Sequence, residues 1–290
     1  MLCRLAVSLV LVIGLTGLVV GCGGDSGGSA GTICGPGTHN ENGVCVVDSD
    51  DGSTGTGTQT GSCDGIIEGD YKIENQDDID ALAGYCEITG NLFIVGQSTL
   101  TSCFLPALTV VGGELGMLNP ALTSFSLPAL TSVGGLHIVS TSLPSFSLPA
   151  LTSVDSKLWV DNNYALTSFE LPALTSIGDS LKFSVNSALA SFSFPELTTV
   201  GDYLQIDGNT KLISFALPVL TSVGGDLSAS KNTTLAQCLV DALVKQIEAG
   251  EGIGGDIWFA GDRHRSFRGS TNNTDCTCSE GGGVLEATCD

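Results

Sequence analysis

The sequence predicts a mainly β fold: a solenoid of stacked parallel coils, closed by a short C-terminal capping helix. Three observations predict it. One phrase recurs, SFSLPALTSV at 124–133 and again at 145–154, flanked by SCFLPALTVV, SFELPALTSI, SFSFPELTTV and SFALPVLTSV. Its proline recurs at Pro106, Pro128, Pro149, Pro172, Pro195 and Pro218, at successive intervals of 22, 21, 23, 23 and 23 residues. A period of this size marks copies that stack, each burying a face that it cannot bury alone. Finally, the apolar residues fall into rows that repeat with the prolines.

Those rows define the coil. Three residues before each proline stand Cys103, Phe125, Phe146, Phe169, Phe192 and Phe215. Two after it stand Leu108, Leu130, Leu151, Leu174, Leu197 and Leu220, and five after it Val111, Val133, Val154, Ile177, Val200 and Val223. A further row runs Leu92, Leu115, Leu136, Leu158, Leu181, Leu204 and Leu227. Two residues on lie Ile94, Met117, Ile138, Val160, Phe183, Ile206 and Ala229. Parallel strands of successive coils would hold members of each row ~4.8 Å apart. Asn163, Asn186, Asn209 and Asn232 form a polar row, expected to hydrogen-bond a turn and each other.

The remaining elements are taken in chain order. Residues 1–21 read as a lipoprotein signal peptide: Arg4, then the apolar run LAVSLVLVIGLTGLVV, ending in VVGC. That ending resembles the bacterial lipobox, which implies that Cys22 is lipidated and becomes the new N-terminus. Residues 22–62 form a Gly/Ser/Thr-rich stalk with a small loop at 34–45. The repeat domain spans 63–235, opening with a strand, a short helical signal at Ile79 and Leu82, and another strand. Residues 236–290 supply the capping helix, with Leu239, Leu243 and Ile247 on one face and Asp241 and Lys245 as an i,i+4 pair. Thr233 or Thr234 is expected to cap its start and Gly250 its end. A disulfide-bonded tail completes the chain.

Charge and cysteine bound the function. Charged residues make up 14% of the chain, against an ordinary value of about 25%, and the net charge is −21. Such a chain repels phosphates, which disfavours nucleic acid as a partner. It meets a membrane through its lipid anchor only. Export implies an oxidising compartment, so cysteines can pair. The expected bridges are Cys34 with Cys45, Cys63 with Cys86, Cys238 with Cys276, and Cys278 with Cys289, the last two pairs being exchangeable. Cys103 occupies the phenylalanine slot of the first full coil and is expected to be a free, buried thiol.

CEITGNLFI followed by LPALTVVGGELGM and four closer copies resembles the receptor L domain. This is the leucine-rich, right-handed β-helical module of insulin- and epidermal-growth-factor-type receptor ectodomains, also found in fungal cell-wall proteins and bacterial lipoproteins. The likeness covers about 63–235. It implies a capped parallel stack and no catalytic activity. The protein-binding residues of those receptors match nothing alignable here, and no kinase or membrane span follows the repeats. A second surface leucine-rich family, with the phrase L-x-x-I-x-I-P, fits less well because of the Gly-Gly turn.

A search for chemistry yields few candidates. Asp161 and Asp207 share an outward position two coils apart, at ~9.6 Å by strand spacing, near the separation of an inverting glycosidase pair. As solvated surface acids with no His or Arg in their row, they make a weak one. Asp179 and Asp202, with Asp155 and Asp226 nearby, could face calcium, which wants further oxygens. His39, His137 and His264 are too scattered for a metal cluster. No catalytic residue, metal or cofactor is therefore expected. The better signal is an outward row of Phe93, Gly116, His137, Trp159, Lys182 and Gln205, with Tyr164 and Tyr203 outward by the same alternation. Phe93, His137, Trp159, Tyr164 and Tyr203 are the candidate contacts for a protein or glycan ligand. Alternatively, His137 and Trp159 only pack against each other or under the N-terminal loop.

The expectation is a non-enzymatic, envelope-anchored binding or adhesion module. The alternatives are a structural envelope protein without a specific ligand and, last, a polysaccharide-active β-helix enzyme. Gly23 after the lipid cysteine favours the outer over the inner membrane. Ligand identity and oligomeric state are left open.

Overall fold

The structure is a computed structural model. It describes Cys63, residues 65–96 and 99–259, and the strand backbones of Thr38–Glu41, Val44–Val47, Asp262–Arg263, Cys276–Gly281 and Val284–Cys289. The chain divides into two units, Met1–Thr58 and Gln59–Asp290. The first contains an antiparallel hairpin, Thr38–Glu41 with Val44–Val47, in which Asn40 faces Cys45. The signal segment, Cys22 and the expected Cys34–Cys45 bridge lie outside the described residues. No helix among the described residues is long and apolar enough to cross a membrane.

The second unit is a parallel β-solenoid. Each coil has three sides. On the second side, Leu92, Leu115, Leu136, Leu158, Leu181, Leu204 and Leu227 lie opposite one another in register, continued by Ile257. The first side stacks Val111, Val133, Val154, Ile177, Val200 and Val223 in the same way. Every one of these residues through Leu227 is buried. At about 1.5–3 kcal/mol per buried side chain, the rows supply the main drive for stacking.

The third side explains the repeated phrase. Ser102–Phe104 pairs with Ser124–Ser126, and Ser145–Ser147, Ser168–Glu170, Ser191–Ser193 and Ser214–Ala216 form a second parallel sheet. Each central residue points in, and the serines flank it outside. The phenylalanines pile into a spine. The ring centroids of Phe146 and Phe169 are 5.0 Å apart and nearly parallel, and Phe192 and Phe215 continue the pile with similar geometry. Phe183 and Phe194 join it from the neighbouring rows. LPAL is a tight turn with proline at its second position, preset for the required φ. The N–H of Leu130 donates to Leu127 O, and the later coils repeat this bond. The threonine after it fastens coil to coil: Thr131 Oγ1 donates to Thr109 O at 2.9 Å, and Thr175 Oγ1 to Thr152 O at 3.0 Å.

The asparagine row does what its spacing predicts. Asn163, Asn186, Asn209 and Asn232 are fully buried. Asn186 Oδ1 accepts from the backbone N–H of Asn163 at 3.1 Å, while Asn186 Nδ2 donates to Val160 O at 2.7 Å. Each side chain thus satisfies the backbone of a corner that no strand pairs. Thr141 holds this place one coil earlier and donates to Asn163 Oδ1.

Helices take the third side at both ends. The first, Gln76–Ala81, starts at a capping box made by Asn75 and Asp78 and buries Ile79. The second, Gln237–Ala249, buries Val240, Leu243, Val244 and Ile247. The amide of its Gln246 donates to both Leu217 O and Leu220 O at 2.8 Å, supplying donors to the last LPAL-type turn. Two local expectations are corrected. The helix begins after Ala236, without a side-chain cap, because the Thr233 and Thr234 hydroxyls donate instead to Thr210 O. Asp241 accepts from Gln237 at 2.6 Å and forms no ion pair with Lys245. Gly250 does end the helix.

Cys63 and Cys86 form the expected disulfide, fastening the first coil to the second. Cys103 is free and buried, and burial pushes its thiol up to about 12. Cys238 is disulfide-bonded. The tail hairpin places Cys276 opposite Cys289 and Cys278 opposite Ala287. The side chains of Cys276, Cys278 and Cys289, and hence their pairing, lie outside the described residues.

Candidate functional site

The site begins with a missing residue. At the corner between first and second sides, coils carry three residues between the inward Val or Ile and the inward Leu: Gly112, Gly113 and Glu114, or Asp155, Ser156 and Lys157. One coil has only two, Gly134 and Gly135. The strand pairing registers the loss as a shift between Val133 and Gly135. Ser132–Val139, like Val110–Met117 with its full corner, runs through as one strand. The coils above and below keep the full corner, so the short coil leaves a notch.

The notch encloses about 310 Å³ and is lined by Gly113, Glu114, Gly134, Gly135, Leu136, His137, Ser156, Lys157 and Trp159. Glu114, Gly135 and Lys157 each precede the inward Leu of their coil, so Gly135 stands between two opposite charges. A side chain is absent there without being forbidden. A Cβ on Gly135 would have its nearest neighbour at 3.6 Å, ordinary contact. At Gly134 it would lie 2.5 Å from Gly112 O, so that glycine is required by the backbone of the adjacent coil.

The aromatic row forms the wall beside it. Phe93, Gly116, His137, Trp159, Lys182 and Gln205 are consecutive in register. Phe93 lies over Gly116, where an added Cβ would fall 2.6 Å from the ring. His137 and Trp159 meet edge to face at 5.3 Å. Trp159 also has the Lys157 ammonium at 4.9 Å and the Lys182 ammonium at 5.3 Å from its ring centre. These contacts hold the indole in place by packing and cation–π attraction. His137 Nδ1 lies 3.5 Å from Glu114 Oε1. Lys157 makes no ion pair among the described residues.

Two residues beyond Trp159 on the same strand, Asp161 is only 6% exposed. The expectation that it is a solvated surface acid is overturned. Its Oδ2 accepts from Lys182 Nζ at 2.8 Å, while Oδ1 and the Trp159 Nε1 are buried without a partner among the described residues. Asp207 is two coils away in register, with Ser184 between. It accepts from Gln205, from the Ser228 hydroxyl, and from both the N–H and the hydroxyl of Ser230. Both carboxylates are therefore engaged in holding the sheet face together.

Of the five expected contacts, the structure joins Phe93, His137 and Trp159 in one row. Tyr164 is 62% exposed but stands in the corner after strand Leu158–Asp161. Tyr203 precedes strand Leu204–Asp207, half-buried, in the row of Glu114 and Lys157 and two coils beyond Lys157. Tyr164 is thus outward as expected, but neither tyrosine belongs to a strand, so neither joins the aromatic row. The residues that sequence reading missed are Glu114, Gly135, Ser156 and Lys157. The signal was present in the 21-residue interval between Pro128 and Pro149.

The turn acids are dispersed along the corner. The Ser180 hydroxyl lies within hydrogen-bond reach of Asp179 and Asp202, and no group of three or more potential metal ligands is gathered among the described residues. No family model, curated protein or solved structure matches this chain.

Proposed function

We propose that this chain is a non-enzymatic recognition module, held on the cell envelope by a lipid at Cys22 and binding its ligand in the Glu114–Lys157 notch. Its β-solenoid is of the receptor L-domain kind, with a stalk at 22–62 between lipid and fold. The observation that carries the reading is the shortened corner. One coil departs from its neighbours beside the His137–Trp159 pair, and the departure creates a concave, polar, aromatic-walled site. Ligand sites are concave, with a few convergent polar groups, and this volume stands at the low end of the ~300–1,000 Å³ range. That size favours the glycan over the protein alternative, since protein interfaces need about 800 Å² per partner. The enzymatic reading is not preferred, because Asp161 and Asp207 both have structural partners.

The test is a glycan and envelope-protein array probed with the full chain beside Trp159→Ala. Saturable binding lost in the variant is the expected result. Binding retained in full by Trp159→Ala would move the site elsewhere.

A further inference from the structure

With the notch taken as the binding site, its chemistry selects among ligands. On that reading, we infer that it takes a sugar ring without net charge, held by its hydroxyls between the Glu114 carboxylate and the Lys157 ammonium.

Three features lead there. The lining carries one carboxylate and one ammonium, with the imidazole of His137 set against the carboxylate at 3.5 Å. An anion entering would meet Glu114 and a chain of net charge −21. A cation would be drawn by Glu114 but repelled at the other wall by Lys157, which makes no ion pair among the described residues, so a single charge of either sign meets a like charge in the lining. A hydroxyl both donates and accepts. A polyhydroxylated ring can therefore donate to Glu114 at one edge and accept from Lys157 at the other.

The spacing suits this. Glu114 and Lys157 stand two coils apart, ~9.6 Å along the stack, and the coil between them presents only Gly135. Both side chains line the notch, and a span of ~9.6 Å between their rows is about what a pyranose ring needs with one hydrogen bond at each edge. Ser156 adds a hydroxyl, and Gly134 and Gly135 leave the floor as bare backbone. Trp159 lines the notch as its aromatic wall, and its ring is already fixed by His137, Lys157 and Lys182. A site whose aromatic is immobilised before binding loses less entropy on binding.

The test uses the full chain and four variants. Gly135→Val fills the notch at a strand position with room for a Cβ. Its urea midpoint, compared with the parent, confirms that it folds. Glu114→Gln and Lys157→Met each remove one wall group, and Ser193→Ala on the third side is the control. The probes are neutral hexose disaccharides, uronic acid oligomers and acidic peptides, titrated by calorimetry at low and high salt. The expected result is saturable binding of a neutral disaccharide, insensitive to salt and abolished by Gly135→Val. Glu114→Gln and Lys157→Met should each weaken it about tenfold, the cost of one hydrogen bond to a charged group. Binding restricted to uronates or acidic peptides, salt-sensitive and lost in Gly135→Val, would overturn the neutral-sugar inference and leave the notch as the site. Sugar binding that survives Gly135→Val would overturn both. No binding of any saccharide would overturn the inference alone, leaving the array to decide the wider reading.

Discussion

Lys182 and Asp161 form an ion pair across adjacent coils, 2.8 Å from Nζ to Oδ2, in which the acid is nearly buried and the base is a quarter exposed. The same ammonium lies by the Trp159 ring, so one cation serves the sheet and the candidate site together. Replacing it strands a carboxylate under the surface. Lys182→Met should destabilise the fold by about 2 kcal/mol, below the ~3–5 kcal/mol of a fully buried pair because Lys182 reaches solvent. Urea denaturation checks this. A loss under about 0.5 kcal/mol would mean that water already solvates Asp161.

Two corner glycines, two coils apart, should respond oppositely to alanine. A Cβ on Gly178 would sit 2.1 Å from Asp155 O, a backbone atom that cannot swing aside. Gly178→Ala should cost on the order of 2–3 kcal/mol. Gly135→Ala meets nothing nearer than 3.6 Å and should be neutral or slightly stabilising, since it also restrains the unfolded chain. Equal midpoints for the two variants would refute the corner geometry described for the notch.

Val185 has φ 58°, left-handed backbone that a β-branched residue rarely adopts. The next coil places Gly208 at φ 70° there, and the previous one Asn162 at φ 58°. Val185 is partly exposed, so little packing is lost with its side chain. Val185→Asn should raise stability by about 1 kcal/mol by relieving the strain. A lower melting temperature in the variant would show that the valine contributes contacts worth more than the strain.

Cys103 supplies a pH dependence. Its folded thiol is raised from 9.0 to about 12 by burial. Above pH 9 the unfolded chain loses this proton while the folded one keeps it, so stability falls as pH rises from about 9 towards 12 and is unaffected below. The stability of the native chain relative to Cys103→Val should therefore fall between about pH 9 and pH 12. Iodoacetamide should label Cys103 only after unfolding. A pH-independent difference, or rapid labelling of the folded chain, would place the thiol at the surface.

The inward architecture was legible because burial is periodic. Every Leu, Val and Phe row read from the sequence is a row in the structure, and Cys103 was identified as the odd thiol by its slot alone. What escaped depends on departures from the period or on neighbours across coils. Alternation sends Asp161 outward, and nothing local says that Lys182 will cover it. The threonines before the C-terminal helix look like caps, but Thr210 O in the previous coil claims them. The notch was hidden in a single missing residue, visible only when the corners are compared at three residues against two. Val185 gave no signal, since valine is the last residue expected in a left-handed corner.

The helices on the third side at both ends make the coil a unit of length. Between Gln76–Ala81 and Gln237–Ala249, every full coil meets its neighbours through the same rows, so the number of coils is not set by the contacts within any of them. A complete coil copied between Pro172 and Pro195 would lengthen the stack by one strand spacing, ~4.8 Å, and leave both ends and the notch as they are. An insertion of any other length must be absorbed at a corner. The molecule is thus a ruler with fixed stops, graduated in coils, on which lengthening and the making of a new recess are separate events: one adds a whole repeat, the other removes a residue from one.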